Sequence, residues 1–202
     1  MNDMPVPVPV LAGLVGFPRS GKDTLGDMLE ETGRWKKVAF ADALKDLYLT
    51  ARPCRWWELD DEDDEEGYFL PIHGRAALET AKVDDAQTRH ALQRFGHTAR
   101  QIDPDFWVLA AARTVAEYMA EGYNVILTDI RYANEFEYVK RKGLVFGVHR
   151  HSAGPVNGHL TEQNTADLLE QTDFTLLNEE GDVEQMLHQF EVYSNRFFGG
   201  AC

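Results

Sequence analysis

Cysteine is almost absent from this 202-residue chain, and Cys54 and Cys202 stand far apart without histidine at metal-ligand spacing. That excludes a disulfide framework and gives no zinc site, so a reducing cytoplasm is the expected setting. Long apolar runs are missing too, which leaves no candidate for a membrane span. The first residues carry neither the basic flank nor the cleavage site of a secretory signal, and none is expected. Positive charge is scarce: 20 Lys and Arg against 34 Asp and Glu give a net charge of −14. A nucleic-acid polymer is therefore disfavoured as a partner, because such binding rests on phosphate neutralisation by basic surface. Half of the imbalance lies in the run Asp60 to Glu66, directly after Trp56-Trp57-Glu58-Leu59. Like-charge repulsion favours a solvated loop there over a cation site or an acidic lid. Internal repeats are lacking, and Pro5-Val6-Pro7-Val8-Pro9 reads as an extended lead-in, since proline cannot donate to a ladder.

What the chain does have is an apolar run from Val8 to Phe17 that passes into Gly16-Phe17-Pro18-Arg19-Ser20-Gly21-Lys22-Asp23-Thr24. Two glycines bracket four residues and a lysine follows, the spacing of a P-loop. Successive backbone N–H groups must turn inward to cradle an anion, and glycine permits that turn without a Cβ clash. Lys22 adds a point charge at the β- and γ-phosphates of a nucleotide, and a helix starting near Gly21 aims its positive end at the same anion. Asp23 occupies the place where a P-loop usually carries the Mg²⁺-binding Ser or Thr, and a hydroxyl appears only at Thr24. The amphipathic stretch that follows, with Leu25, Met28 and Leu29 on one side, ends near Gly33. A small anionic nucleotide in a locally basic cleft is compatible with the acidic chain as a whole.

Short apolar runs alternate with helical patterns, which is the signature of a parallel sheet with crossover helices. Strands are expected at about Val10 to Gly16, Lys37 to Phe40, Tyr123 to Asp129, Leu144 to His149 and Phe174 to Leu177. Between the second and third lies a helical stretch, roughly Asp85 to Glu121, interrupted at Asp103-Pro104. The expectation is a single α/β domain over 1–202 with a P-loop NTPase fold: a five-stranded parallel sheet flanked by helices in three α/β/α layers. An acidic insertion at about 52–75 and a helical acceptor-binding region at about 76–121 complete it. Ligands of such sheets sit at the carboxyl ends of the strands. Asp42, Asp129, Arg131 and Arg150 each follow an expected strand, on the edge that carries the phosphate loop.

The chain resembles the bacteriophage deoxynucleoside monophosphate kinases, within the nucleoside monophosphate kinase-like P-loop proteins. The likeness is carried by the Gly16–Thr24 segment with its Gly-Lys-Asp-Thr ending, by Phe40-Ala-Asp-Ala-Leu-Lys45, and by Leu92 to Arg100. Asp105-Phe-Trp107, Thr128 to Glu135, and the stretch from His159-Leu-Thr-Glu162 through Asn178 extend it over most of the chain. The resemblance implies ATP- and Mg²⁺-dependent phosphorylation of a deoxynucleoside monophosphate to the diphosphate, in the cytoplasm (the host's, if phage-encoded). Dephospho-coenzyme A and phosphomevalonate kinases share parts of these motifs and are the rival enzymes. A nucleotide-dependent switch is the rival from another class. Against the switch, there is no guanine-reading Asn/Thr-Lys-x-Asp segment, and several arginines suit two phosphorylated ligands better than one.

An acceptor phosphate is already an anionic nucleophile, so such a kinase needs no general base, only positioning and charge neutralisation. Arginine forks suit that demand. On this basis Gly16, Arg19, Ser20, Gly21 and Lys22, with Asp23 and Thr24, are expected to hold ATP. Asp23, Thr24 and Asp129 are the expected Mg²⁺ donors, the carboxylates through water. Lys22, Arg131 and Arg150 are the expected catalytic cations, Arg150 closing over ATP as a mobile arginine does in related kinases. Acceptor-side candidates are Asp42, Lys45, Gln93, Arg94, Arg100, Trp107, Asp129 and Arg131. Arg94 and Arg100 lie on different helix faces and are not expected to reach the cleft together. Trp107 either stacks on a base or packs in an amphipathic helix; Gln93 either meets a base edge or caps a loop. Glu135 is expected to pair with Arg131 at helical spacing, and Glu162 to sit at a helix N-terminus. His97, His149, His151 and His159 show no metal-ligand spacing. A homodimer rests on fold-level analogy alone.

Overall fold

Leu11-Ala-Gly-Leu-Val15 is apolar throughout and buried at every position, as a strand covered on both faces must be. In the computed structural model, which describes residues 8–51, 74–84, 86–154, 160–179 and 182–198, this is strand β1. Helix α1 (Lys22–Glu31), strand β2 (Trp35–Val38) and helices α2 (Phe40–Ala51), α3 (Gly74–Asp84), α4 (Ala86–Ile102) and α5 (Phe106–Ala120) follow. Strand β3 (Asn124–Leu127), α6 (Ala133–Lys140), β4 (Leu144–His149), α7 (Leu160–Leu169), β5 (Phe174–Leu177) and α8 (Val183–Phe198) complete the order. The lead-in before Val8, Cys54, Trp56-Trp57, the acidic run Asp60 to Glu66, His159 and Cys202 lie outside the described residues, as does the side chain of Glu162.

All five strands run parallel in the order β2-β3-β1-β4-β5. Side chains alternate across the sheet, and each face has its own helices. Leu11 and Val15 of β1, with Val125, Leu127 and Val145, face one core built with Val108, Ala111 and Val115 of α5, Phe136 and Val139 of α6, and Leu168 of α7. Ala12, Leu14, Ile126, Phe146 and Leu176 face the other, filled by Leu25 and Leu29 of α1 and by Met186 and Phe190 of α8. Each fully buried side chain of this size contributes about 1.5–3 kcal/mol, so both faces drive the layering. The expected five-stranded parallel α/β/α sheet is the observed one.

The first and third strands are shorter than expected, Leu11–Val15 and Asn124–Leu127, and the second is displaced. The second strand runs Trp35–Val38, two residues earlier than Lys37 to Phe40. Phe40 already opens α2, and its N–H donates to Asp129 Oδ1 at 2.7 Å instead of joining the ladder. Trp35 is a strand residue because its ring is buried edge-on against Phe190, 5.4 Å between centroids. Asp103-Pro104 breaks the long helical stretch between α4 and α5 as its sequence requires, since the residue before proline leaves the helical region.

The described chain divides into two compact units, Met1–Phe40 with Val108–Cys202, and Ala41–Trp107. The first holds the sheet. In the second, Trp107 is buried, its Nε1 donates to Gly96 O at 3.0 Å, and Phe95 and Phe106 pack on its ring. Among the described residues no helix is long and apolar enough to cross a membrane.

Candidate phosphate site at the carboxyl edge of the sheet

The strand order decides what meets at the loop after β1. Chain connections leave β1 for β2 on one side, while β3 returns to β4 on the other, so β1 stands at the point where the winding reverses. Its carboxyl end is therefore flanked by the ends of β3 and β4, with β5 one strand further. Residues that follow four different strands are brought to one edge, which is where open parallel sheets bind ligands.

The loop itself is held in an unusual backbone path. Gly21 has φ 102°, and a Cβ there would stand 2.4 Å from Asn178 Nδ2. A Cβ on Gly16 would stand 2.6 Å from Val148 O and 2.7 Å from Ser20 Oγ. Both glycines of the spacing are thus required, one for its conformation and both for close approach. Arg19 takes φ 64° without being glycine, at a cost on the order of 1 kcal/mol. Such strain persists where the surroundings over-determine it, as they do at ligand clamps. Ser20 N donates to Phe17 O at 3.2 Å and Leu25 N to Gly21 O at 2.9 Å, so the loop closes directly onto the first turn of α1.

Lys22 opens that turn. Its Nζ donates to Phe17 O at 2.9 Å and approaches Ser20 Oγ at 3.4 Å, folded back onto its own loop. Burial pulls its pKa down to about 8, opposed by the Asp23 and Asp129 carboxylates and reinforced by the Arg131 guanidinium. All three charged neighbours were expected at this edge, and all three act on Lys22. The Asp23 side chain is open, 77% exposed, with Lys37 Nζ 3.9 Å from its carboxylate. Thr24 is exposed beside it. Asp129 is partly committed, since its Oδ1 takes the Phe40 N–H.

Arg131 and Arg150 are placed through the main chain. Glu135 Oε2 accepts the N–H of Arg131 at 2.8 Å and of Tyr132 at 3.1 Å, and Glu135 is buried. The expected Arg131–Glu135 relation is therefore corrected in kind: the carboxylate caps the turn before α6, and Arg131 lies outside that helix. Arg150, just past β4, directs Nη1 to Arg19 O at 3.5 Å, while its Nε is buried without a hydrogen-bond partner. Among the described residues Arg19, Lys22, Arg131 and Arg150 have no carboxylate within ion-pair distance.

The remaining candidates belong to the second unit. Arg75 Nη1 donates to Asp42 Oδ1 at 2.6 Å and Nη2 to Asp42 O at 2.9 Å. Lys45 Nζ lies 2.5 Å from Glu79 Oε1 and 3.9 Å from Asp42 Oδ1. Gln93 and Arg94 are exposed on α4, whereas Arg100 is half-buried with Nη1 3.4 Å from Gly96 O, so the two arginines do occupy different surroundings. Trp107 matches the packing alternative, its ring being covered by protein. His97 meets Gln101 at 3.1 Å, and no group of three or more metal-ligating side chains occurs among the described residues.

Sequence reasoning missed Asn178 as a site residue. It is 2% exposed just past β5, donates Nδ2 to Ser20 O at 2.8 Å, and donates its N–H to His149 O at 2.8 Å. The strand-end rule that selected Asp129 and Arg150 applies equally to it.

No family model and no curated protein matches the chain. Among solved structures it is similar to a dephospho-CoA kinase from Campylobacter jejuni, with 11% identity, 94% of this chain and 98% of that chain covered, and a TM-score of 0.50. A shikimate kinase from Bacteroides thetaiotaomicron is similar at 12% identity, 91% and 97% coverage and a TM-score of 0.44. A thymidylate kinase from Candida albicans is similar at 12% identity, 94% and 92% coverage and a TM-score of 0.43. Likeness at such identity concerns the fold, and the first of these shares the five-stranded α/β arrangement described above.

Proposed function

We propose that this chain transfers the γ-phosphoryl group of ATP to a deoxynucleoside monophosphate, giving the diphosphate and ADP. An oxygen of the acceptor phosphate attacks the γ-phosphorus, and the bond to the β,γ-bridging oxygen breaks. The observation that carries the reading is the set Arg19, Lys22, Arg131 and Arg150 around one glycine loop, without a carboxylate partner among the described residues. Such cations at a cradle of backbone N–H groups, Lys22 among them desolvated, are suited to an anion from outside.

In this reading the loop backbone and Lys22 hold the β- and γ-phosphates. Arg131 and Arg150 steady the charge that spreads over the transferring group, and their planar forks fix its orientation. Neither residue has to move a proton, because the acceptor is already ionised. Asp23, Asp129 and Thr24 offer hard oxygen donors, one carboxylate open and one fixed by a backbone amide. That sparse set fits Mg²⁺, which arrives with nucleotide phosphates and keeps several waters. When bound, the ion neutralises charge on the β- and γ-oxygens.

The choice of acceptor rests on the resemblance to the phage kinases, through the Gly-Lys-Asp-Thr ending and the segments Phe40–Lys45, Leu92–Arg100 and Thr128–Glu135. Residues 1–202 then work as one kinase domain in the cytoplasm, and 76–121 with Asp42 and Lys45 supply the acceptor side. Dephospho-coenzyme A is the runner-up, as the substrate of the Campylobacter jejuni dephospho-CoA kinase that shares the fold. The test is Mg²⁺-dependent ADP release with the four deoxynucleoside monophosphates, their ribose counterparts, dephospho-coenzyme A and phosphomevalonate. Turnover with deoxynucleotides is expected. Turnover with dephospho-coenzyme A alone would replace the acceptor, and ATP binding without any acceptor-dependent turnover would sink the kinase.

A further inference from the structure

The phosphate loop faces two ways. Its N–H groups are wanted for the anion, so its carbonyl groups must be satisfied from behind. Ser20, itself 1% exposed, directs its carbonyl to the Asn178 side-chain amide at 2.8 Å. Asn178 in turn is anchored by its own N–H to His149 O at 2.8 Å, where β4 and β5 run side by side with His149 opposite Leu177. The same amide stands where a Cβ on Gly21 would be, at 2.4 Å. Ser20 and Gly21 are the two residues just before Lys22, so their peptide orientation sets where the lysine and the first turn of α1 point. A residue 158 positions away thus closes the loop's carbonyl side.

We propose that Asn178 is a positioning residue for nucleotide binding, its Nδ2 holding the Ser20 carbonyl outward so that the loop amides and Lys22 are preset for phosphate. The inference rests on the kinase reading and deepens it. Asparagine suits the task chemically: it donates without a charge. An aspartate of the same shape loses the donor, sets an anion against the Ser20 carbonyl and places negative charge behind a phosphate site. Preorganisation of this kind acts on affinity by removing the cost of ordering the loop on binding.

The test uses the full chain with Asn178→Asp and Asn178→Ala. ATP and inorganic tripolyphosphate binding are measured by calorimetry, and amide hydrogen exchange over Gly16 to Thr24 is followed without ligand. Both variants are expected to bind both ligands at least tenfold more weakly, Asn178→Asp more so. Exchange should quicken in the loop while α4, in the second unit, is unchanged. Wild-type binding with variant affinities within twofold would overturn the inference and leave the kinase reading standing. A uniform rise in exchange with unaltered affinity, or failure of both variants to fold, would make Asn178 a residue of the fold alone and overturn it as well. Absence of wild-type binding to either ligand would remove the kinase reading itself, and the inference with it.

Discussion

The α2–α3 cluster of the second unit and the phosphate loop of the first treat positive charge in opposite ways. In the cluster, Arg75 is gripped by Asp42 and by both oxygens of Asp46, at 2.7 and 2.9 Å, and Lys45 and Lys82 share Glu79. Each of these three cations has a carboxylate, and the Arg75 and Lys45 pairs tie α2 to α3. At the carboxyl edge of the sheet, Arg19, Lys22, Arg131 and Arg150 have no carboxylate partner among the described residues, although the chain carries 14 more acids than bases. In so acidic a protein, four cations at one loop without a carboxylate among the described residues do not reflect a shortage of acids. Paired charges of the first kind hold α2 against α3, and on the proposed reading those of the second kind receive the phosphates of a nucleotide.

The sharpest way to break this comparison is to remove a cation from each set. Lys22→Ala is expected to lower kcat/KM by about 10³-fold or more, the scale of a cation that stabilises a transferring phosphoryl group. Its melting temperature should hold or rise, because a desolvated charge is removed. A fall in stability with activity intact would place Lys22 among the structural charges. Arg131→Ala and Arg150→Ala are each expected to lower kcat/KM by about 10²-fold, with circular dichroism melts unchanged.

The pH dependence sharpens the same contrast. Free Lys22 titrates near 8, whereas an unfolded lysine stays protonated to higher pH. The unfolded chain binds more protons across that window, so this group makes stability rise with pH above about 8. Phosphate prefers the protonated lysine, so ATP affinity should fall above about 8, by up to tenfold per pH unit. Calorimetry across pH 7 to 10 checks it, and Lys22→Ala should flatten the profile.

The smallest effect belongs to the paired set. Arg75→Ala is expected to cost about 1 kcal/mol, because its partners are half-exposed and screened. The hydrogen bond from Arg75 holds the Asp46 carboxyl below the usual carboxylate range. Its stabilisation is therefore present above the ordinary carboxylate pKa and is lost as pH falls through the lowered one. Urea melts at pH 7 and pH 3 should differ less in the variant than in the wild type.

Much of this edge was legible in the sequence because its signals are local. Glycine spacing, a lysine, and charged residues one step past apolar runs need no knowledge of the fold. Strands Leu144–His149 and Phe174–Leu177 were readable to the residue, being short apolar runs between turn signals. Neighbour order was not: nothing local says that β3 and β4, not β2, flank β1. Asn178 was therefore passed over, since an asparagine after a strand is an ordinary turn residue until its strand is placed behind the loop. Glu135 was read by helical spacing from Arg131, yet the helix starts after Arg131 and the carboxylate serves main-chain amides. Trp107 offered two readings from one helical pattern, and its buried ring with the hydrogen bond to Gly96 separates them.

The most direct test of the account is an ATP titration followed by backbone amide resonances. Shifts concentrated on Gly16 to Thr24, with Arg131, Arg150 and Asn178, and none at Arg75 or Asp46, are expected. Saturable binding that leaves the Gly16 to Thr24 amides unmoved would contradict it.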